Sequence, residues 1–186
     1  MPPLLSSFVI VSDNSFRSDD PEDIVQSNIS YINALRSNGV STDDIPVDAM
    51  RSYIVDFYWA QLCNGGFSQF VYNCRWKEDV ITLVRSGLAA MEADPHVRLL
   101  DRGAAVMQAL GPTRTRKFLE SNYFGDNKER EEIDAATIPM LKPLFGTDDL
   151  IRANAAFLRR LPNLKVLAIA DMEEEVARRT ADIHRP

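Results

Sequence analysis

The sequence predicts a mainly α-helical protein, a single multi-helix domain over residues 1–186 with a small two-stranded sheet formed by its N- and C-terminal segments. Its 186 residues are 45% hydrophobic and 26% charged, values typical of a globular domain. A chain of this length can bury roughly 70% of the surface that its unfolded form exposes, so its core requires no disulfide or metal. Apolar residues recur at helical spacing in most segments, whereas two short apolar runs near the chain ends have the composition of strands.

The N-terminal segment is expected to contain a loose tail, a strand and a helix. Residues 1–6 form the tail, and residues 7–12 (SFVIVS) are a β-branched run bounded by turn-forming residues, which predicts a strand. Asp20 is placed to cap a helix with Pro21 at its first position, and the apolar spacing of that helix continues to a stop at Gly39.

The second helix, expected over residues 46–63, is apolar on much of its circumference. Such a helix is typical of a central core position or of an oligomer interface. Asn64, Gly65 and Gly66 are expected to end it, with Gly65 in the left-handed conformation that closes a helix. A short helix over residues 67–73 follows.

A helical hairpin is expected in the middle of the chain. Residues 77–93 carry apolar positions on one face, and residues 94–111 begin with an Asp-Pro cap and stop at Gly111. A short helix over residues 113–121 is predicted after it.

The next helix, over residues 126–140, is strongly charged at its start and is expected to be broken by Pro139 and Pro143. Asp148 and Asp149 are then placed to cap a further amphipathic helix.

The C-terminal run over residues 162–170 (PNLKVLAIA) is compatible with a helix or a strand. We favour a strand, because the N-terminal strand needs a partner for its backbone N–H and C=O groups. Asp171 is then expected to cap a final helix with acidic residues near its start and arginines near its end, as the helix dipole favours.

Acidic residues are concentrated in the first third of the chain. The net charge of −6 is held there, because residues 1–60 contain nine acidic and three basic residues, whereas the remainder is balanced. This distribution argues against direct nucleic-acid binding, which needs a basic footprint. It leaves two interpretations, a solvated face or a face that binds a basic partner. Apart from Asp56, the acidic residues of this segment form the predicted acidic surface: Asp13, Asp19, Asp20, Glu22, Asp23, Asp43, Asp44 and Asp48.

Few side chains are candidates for catalysis or metal binding. Cys63, Cys74 and His96 have spacings that match no usual zinc pattern, and His184 is the only other histidine. His96 follows a cap by two residues and is expected at the surface. We therefore predict no metal, no cofactor and no catalytic residue, and we favour a non-enzymatic role over an enzymatic one.

The same composition predicts a cytoplasmic location. The apolar runs are far shorter than the roughly 20 residues that span a bilayer, and no signal peptide opens the sequence, so no membrane partner is expected. Two cysteines also suit a reducing compartment.

The least generic segment is YIVDFYWAQLCNGGFSQFVYN, residues 53–73. Tyr53, Asp56 and Asn64 fall on one stripe of the second helix, which places a carboxylate among apolar neighbours. Such a carboxylate is either a structural group that orients the turn or a functional group in a cleft.

The residues after the glycines carry polar side chains with two possible uses. The amides of Gln69 and Asn73 lie one turn apart and can either clamp the preceding turn or grip a partner. Free N–H groups of Phe67 and Ser68 at a helix start are also compatible with a phosphate cradle, although the chain has no Walker lysine and no GxGxxG.

This helix-NGGF-helix segment resembles a bacterial family whose shared domain is largely of unknown function and whose best-known relative is a DNA mimic. The resemblance implies a mostly helical fold, a homodimer and no known catalytic residues. That relative places acidic side chains where DNA has phosphates and occupies the DNA-binding surface of a transcriptional regulator. The residues that carry the resemblance are Tyr53, Asp56, Gln61, Asn64, Gly65, Gly66, Phe67, Gln69, Phe70 and Asn73.

The sequence thus predicts a non-enzymatic protein-binding module. The acidic surface and the family resemblance favour a DNA mimic whose partner is a basic DNA-binding protein or regulator. The alternative is a small ligand-binding protein or enzyme with a site around Asp56, Asn64, Gln69 and Asn73.

Overall fold

The computed structural model describes residues 7–146 and 149–181. In that part of the chain, eight α-helices and a two-stranded parallel sheet confirm the predicted fold class. The strands are β1 (Val9–Ser12) and β2 (Leu164–Leu167), and short 3-10 helices cover Thr42–Asp44 and Lys142–Leu144. The helices are α1 (Asp13–Arg17), α2 (Pro21–Ser37), α3 (Val47–Cys74), α4 (Glu78–Ala90), α5 (Asp94–Glu120), α6 (Lys128–Leu141), α7 (Asp149–Arg160) and α8 (Ile169–Thr180).

The chain divides into two compact units, one formed by residues 1–53 and 151–186 and the other by residues 54–150. A single domain over the whole chain stays a prediction. The predicted loose tail at residues 1–6, the cap at Asp148 and His184 lie outside the described residues. Within the described part, no helix is both long and apolar enough to cross a membrane.

The sheet of the first unit joins the two ends of the chain, as the sequence predicts. Val9 lies opposite Leu164 and Ser12 opposite Leu167 in parallel register. All of β1 is buried, whereas β2 is partly exposed, which explains why β2 can carry a charged residue, Lys165, and β1 carries none. Each strand satisfies backbone groups of the other that would otherwise be buried without partners.

Helix α2 packs beside this sheet and begins as its sequence predicts. The Asp20 side chain accepts a hydrogen bond from the Glu22 N–H at 2.9 Å, and Pro21 occupies the first turn. The apolar face of the helix buries Ile24 and Ile32.

Two details of the first unit differ from expectation. A five-residue helix, α1, follows β1 directly, because the Ser12 side chain accepts a hydrogen bond from the Ser15 N–H. The predicted cap at Asp171 is wrong, because α8 begins at Ile169 with Ala168 at its N-cap, and Asp171 instead lies in the first turn.

The second unit contains residues 54–74 of α3 together with α4, α5 and α6. Both long helices bend at glycine, α3 at Gly65 and Gly66 and α5 at Gly111, where φ is 71°. The stops predicted at these glycines are therefore real interruptions of helical geometry. The core of this unit contains the fully buried side chains of Tyr58, Leu62, Phe67, Phe70, Leu88, Leu99, Leu100 and Phe118.

The expected break at Pro139 is wrong. Pro139 lies inside α6, which continues to Leu141 and is followed by a 3-10 turn that contains Pro143. Proline removes the N–H that would bond the carbonyl of Ala135, but Pro139 and Ala135 are both exposed, so water can satisfy that carbonyl.

Candidate functional site

The glycine corner, which we define as residues 61–73, is the point where α3 changes direction. Gly65 has φ −163° and ψ 21°, and Gly66 has φ 77° and ψ −169°. The expectation of a left-handed Gly65 is therefore wrong, because Gly66 is the residue with positive φ. A ψ near 180° at that φ is a region that essentially only glycine occupies, so Gly66 is required by backbone geometry.

Gly65 is required for a different reason, which is the close approach of a side chain. A Cβ atom at residue 65 would lie 2.0 Å from Gln69 Oε1 and 3.1 Å from Gln69 Cβ. The missing side chain thus leaves room for Gln69 to fold back over the corner.

Side-chain amides connect the two arms of the corner. Gln61 Oε1 accepts a hydrogen bond from Gln69 Nε2 at 3.2 Å and another from Asn73 Nδ2 at 2.5 Å. Gln61 precedes the glycines and the two donors follow them, so this amide cluster clamps the preceding turn. The clamp is one of the two uses that the sequence allowed for Gln69 and Asn73.

Asp134 of α6 holds the start of the second arm. Its Oδ1 accepts the Ser68 N–H at 3.1 Å, and its Oδ2 accepts the Ser68 hydroxyl at 2.7 Å. The Tyr123 hydroxyl is 3.1 Å from Ser68 Oγ and donates to the carbonyl of Gly65 at 3.0 Å. A carboxylate at a helix start receives free N–H groups in the way a bound anion would, so a protein side chain occupies the place considered for a phosphate.

The electrostatics of Asp134 reflect partial burial. Desolvation raises the pKa of its carboxyl, while the hydrogen bonds from Ser68 oppose the rise. Sequence reasoning missed Asp134 and Tyr123, because both are at least 50 residues from the motif and carry no local signal.

Phe67 anchors the corner in the core of the second unit. Its side chain is fully buried, and its ring lies against Gly103 of α5, where an added Cβ would be 2.0 Å from Phe67 Cζ. The rings of Phe70 and Trp76 pack against it with centroids 5.7 and 6.1 Å away. The second arm of the corner is therefore fixed by packing as well as by hydrogen bonds.

The remaining motif residues are not gathered into one site. The Tyr53 hydroxyl donates to Asn33 Oδ1 of α2 at 3.2 Å, and Asp56 is half-buried on α3. Asn64 and Asn73 are exposed. The structure thus joins Gln61, Gln69 and Asn73, whereas Tyr53 bonds within the first unit.

The predicted surface position of His96 is wrong. His96 is buried, with its ring edge-on to Trp59 at 5.3 Å and to Tyr58 at 5.9 Å. Burial lowers the pKa of His96 to about 4, against a smaller opposing effect of Asp149. Among the described residues, no three His, Cys, Asp or Glu side chains come close enough to hold a metal ion.

The acidic surface has two kinds of members. Asp13 and Asp48 are half-buried and lie 3.9 and 2.8 Å from Arg17 and Arg51, so their charges are locally compensated. The other six are exposed, and we call the four around the start of α2 the acidic cluster. The acidic cluster consists of Asp19, Asp20, Glu22 and Asp23.

Folding adds basic residues to the same unit. Over its full sequence the first unit contains 13 acidic and 10 basic residues, a smaller excess than the first 60 residues alone suggest. Arg159 of α7 donates to the carbonyl of Ser18 at 2.9 Å, directly beside the acidic cluster. The first unit as a whole therefore carries only a small acidic excess, and the acidic cluster is a local concentration of negative charge within it.

A groove between α2 and α8 adjoins the acidic cluster. It has a volume of about 390 Å³, and both Asp23 of the cluster and Glu173 of α8 line it. Sequence reasoning missed Glu173 as a neighbour of Asp23, because only the packing of α8 on α2 brings together residues 150 positions apart.

The chain belongs to the DMP19-like protein family, whose model matches residues 43–160. The matched region contains the whole glycine corner together with Gly103 and Asp134, which hold it in place. The matched region begins after the acidic cluster and ends before α8. No curated protein and no solved structure shows a significant match to the chain.

Proposed function

We propose that this protein is a non-enzymatic protein-binding module that acts as a DNA mimic, with the acidic cluster as its contact surface for a basic DNA-binding protein or regulator. The observation that carries the proposal is the exposure of four carboxylates within five residues. Among the described residues, no ion pair reaches Asp19, Glu22 or Asp23. Membership of the DMP19-like family supports it.

The density of charge in the acidic cluster is close to that of DNA. From Asp19 to Asp23 the backbone covers roughly 9 Å, because the path through the extended Asp20 adds about 6 Å and residues 21–23 add about 3 Å of helical rise. B-DNA carries about five charges over the same length, at one per roughly 1.7 Å of axis. Four carboxylates on that path supply a comparable local field for a basic surface.

The glycine corner is assigned the role of scaffold in this proposal. Its polar groups bond to one another, through Gln61, Gln69 and Asn73 on one side and Ser68 and Asp134 on the other. These bonds favour a structural role over ligand binding for the amides. A homodimer, as the family resemblance implies, is part of the proposal.

The first experiment identifies and then tests a partner. Immobilised protein is incubated with lysate of its source cells, and proteins that duplex DNA elutes are identified and purified. A fluorescent operator bound to the purified regulator is then titrated with this protein, and its displacement is followed by anisotropy. We expect wild-type protein to displace the operator competitively, with weaker competition at high salt.

The matched variants separate the acidic cluster from charge in general. The variant D19N/D20N/E22Q/D23N keeps the shape of each side chain and keeps the helix cap, since Asn caps as well as Asp. We expect it to need at least about ten-fold more protein for displacement, as the loss of several weak ion pairs implies. The control E78Q/D79N/D94N/E120Q neutralises four exposed acids of the second unit and is expected to compete like wild type. Equal competition by both variants would contradict the proposal.

A further inference from the structure

The groove between α2 and α8 combines an apolar wall with carboxylates. Ala34 and the α8 residues Ile169, Met172 and Val176 form the apolar wall, and Ile169 is 56% exposed. A volume of about 390 Å³ lies in the range of pockets that receive organic groups, roughly 300–1,000 Å³.

Besides Gln26, Ser30 and Tyr31, two groups of polar side chains line the groove. Ser12, Ser15 and Ser27 are already bonded, since Ser12 donates its hydroxyl to Ser15 Oγ at 2.8 Å and its N–H to Ser27 Oγ at 2.8 Å. Asp23 and Glu173 are exposed carboxylates, and neither forms an ion pair with another described residue. The groove thus offers a bound group both apolar contact and negative charge.

The floor of the groove is closely packed. The Tyr31 side chain is 5% exposed, and the Arg179 guanidinium lies 5.5 Å from the centre of its ring. Arg179 is itself held by Glu175 at 3.0 Å. A preformed floor lowers the ordering cost of binding, because its side chains lose little further freedom.

We propose that this groove receives a bulky apolar side chain of the protein partner, with a lysine or arginine one helical turn away that contacts Asp23 and Glu173. The inference rests on the proposed function. It adds a contact that DNA does not offer, because the phosphates of DNA provide negative charge but no apolar groove for a side chain of the partner. Charge complementarity selects a basic segment, and the apolar wall selects an amphipathic one. The groove therefore supplies specificity and a part of the affinity that salt does not screen.

The groove lies outside the region matched by the family model, since all of its lining residues fall within 12–34 or 169–176. The contact is accordingly a property of the segments that flank the family domain in this chain.

The test uses three fluorescent synthetic helix-forming peptides of equal length. The first carries leucines one turn apart flanked by lysines, the second replaces the leucines with serines, and the third replaces the lysines with glutamines. Anisotropy with the full-length protein is measured at about 0.05 M and about 0.5 M NaCl. We expect the first peptide to bind tightest and to retain measurable binding at the higher salt concentration, where binding of the serine peptide is lost.

Matched variants locate the peptide on the protein. Ile169→Ser removes an exposed part of the apolar wall, and we expect the first peptide to bind about five-fold more weakly. Val47→Ser makes a comparable change at a residue 55% exposed in the same unit but outside the groove, and it is expected to bind like wild type. The variant D23N/E173Q should bind the first peptide more weakly than wild type does and should bind the glutamine peptide with unchanged affinity.

Several outcomes would overturn this inference. Equal loss in the Ile169→Ser and Val47→Ser variants would show that the peptide does not use the groove. Equal binding of the leucine and serine peptides would show contact by charge alone, which leaves the acidic cluster as a binding surface and removes the groove. Self-association that Ile169→Ser abolishes while peptide binding persists would assign the groove to a second copy of the chain. If the operator competition fails while peptide binding behaves as expected, the groove stands and DNA mimicry does not.

Discussion

Replacing Gly66 with alanine is expected to destabilise the second unit by about 3 kcal/mol. Its φ of 77° and ψ of −169° are nearly closed to L-residues, which costs about 1–3 kcal/mol. An added Cβ would also lie 3.2 Å from Asp134 Oδ1, so the carboxylate that holds Ser68 must shift. We assign about 1 kcal/mol to that displacement.

Gly111 provides the control, because it separates backbone strain from contact with Asp134. Its φ of 71° and ψ of 172° place it in the same region, but an added Cβ would have nothing within 4 Å. Gly111→Ala is therefore expected to cost about 2 kcal/mol, from the backbone alone. With a melting shift of about 2–4 °C per kcal/mol, Gly111→Ala should melt about 4–8 °C below wild type and Gly66→Ala about 6–12 °C below it.

Urea denaturation followed by tryptophan fluorescence measures this difference, since Trp59 and Trp76 both belong to the second unit. Trp76 packs 6.1 Å from Phe67 and so reports on the corner directly. A Gly66→Ala variant as stable as wild type would refute the requirement for glycine. Equal destabilisation by Gly66→Ala and Gly111→Ala would refute the contribution of Asp134.

Three further measurements test the packing and charge of the fold. Gly103→Ala should destabilise by more than about 3 kcal/mol in urea, because the buried Phe67 ring cannot move away, and Phe67→Leu in the same chain should recover part of the loss. The pKa of His96 is lowered to about 4 in the folded protein, whereas the unfolded imidazole titrates near 6.5. Folding stability is therefore full above pH 6.5, where His96 is neutral in both states, and falls by up to about 3 kcal/mol as the pH drops to 4. Urea denaturation curves of His96→Gln should show a flatter dependence of stability on pH. Arg178 lowers the pKa of Glu175 to about 2, so the ionised Glu175 contributes folding stability above pH 4.5 and loses that contribution as the pH falls towards 2. If the melting temperature of Glu175→Gln fell with acidification as steeply as that of wild type, this expectation would be contradicted.

Local signals predicted much of the fold. The cap at Asp20 followed by Pro21 marked the start of α2, and the need of β1 for a partner identified β2 where periodicity alone was ambiguous. These features depend on residues close in sequence or on backbone bonding that any strand requires. The structure agrees with both.

Features that depend on distant residues were inaccessible to the same reasoning. His96 is buried because Tyr58 and Trp59 cover it, and nothing near residue 96 carries that information. Likewise, the partner of Ser68 is Asp134, 66 residues away. Even within the corner, the sequence indicated a glycine with positive φ but assigned it to Gly65 instead of Gly66, because consecutive glycines are equally permissive.

Operator competition by two variants separates the acidic cluster, which we expect to bind the partner, from the glycine corner, which we expect to support the fold. The first variant is D19N/D20N/E22Q/D23N, and the second is Q69A/N73A, which removes both amide donors to Gln61. We expect the first to stay folded, with a loss of about 1 kcal/mol from the helix-dipole interactions of Glu22 and Asp23, and to lose competition. The second should also lose about 1 kcal/mol of stability but keep competition. Loss of competition by a folded Q69A/N73A variant, with full competition by the acid-neutralised variant, would contradict the account.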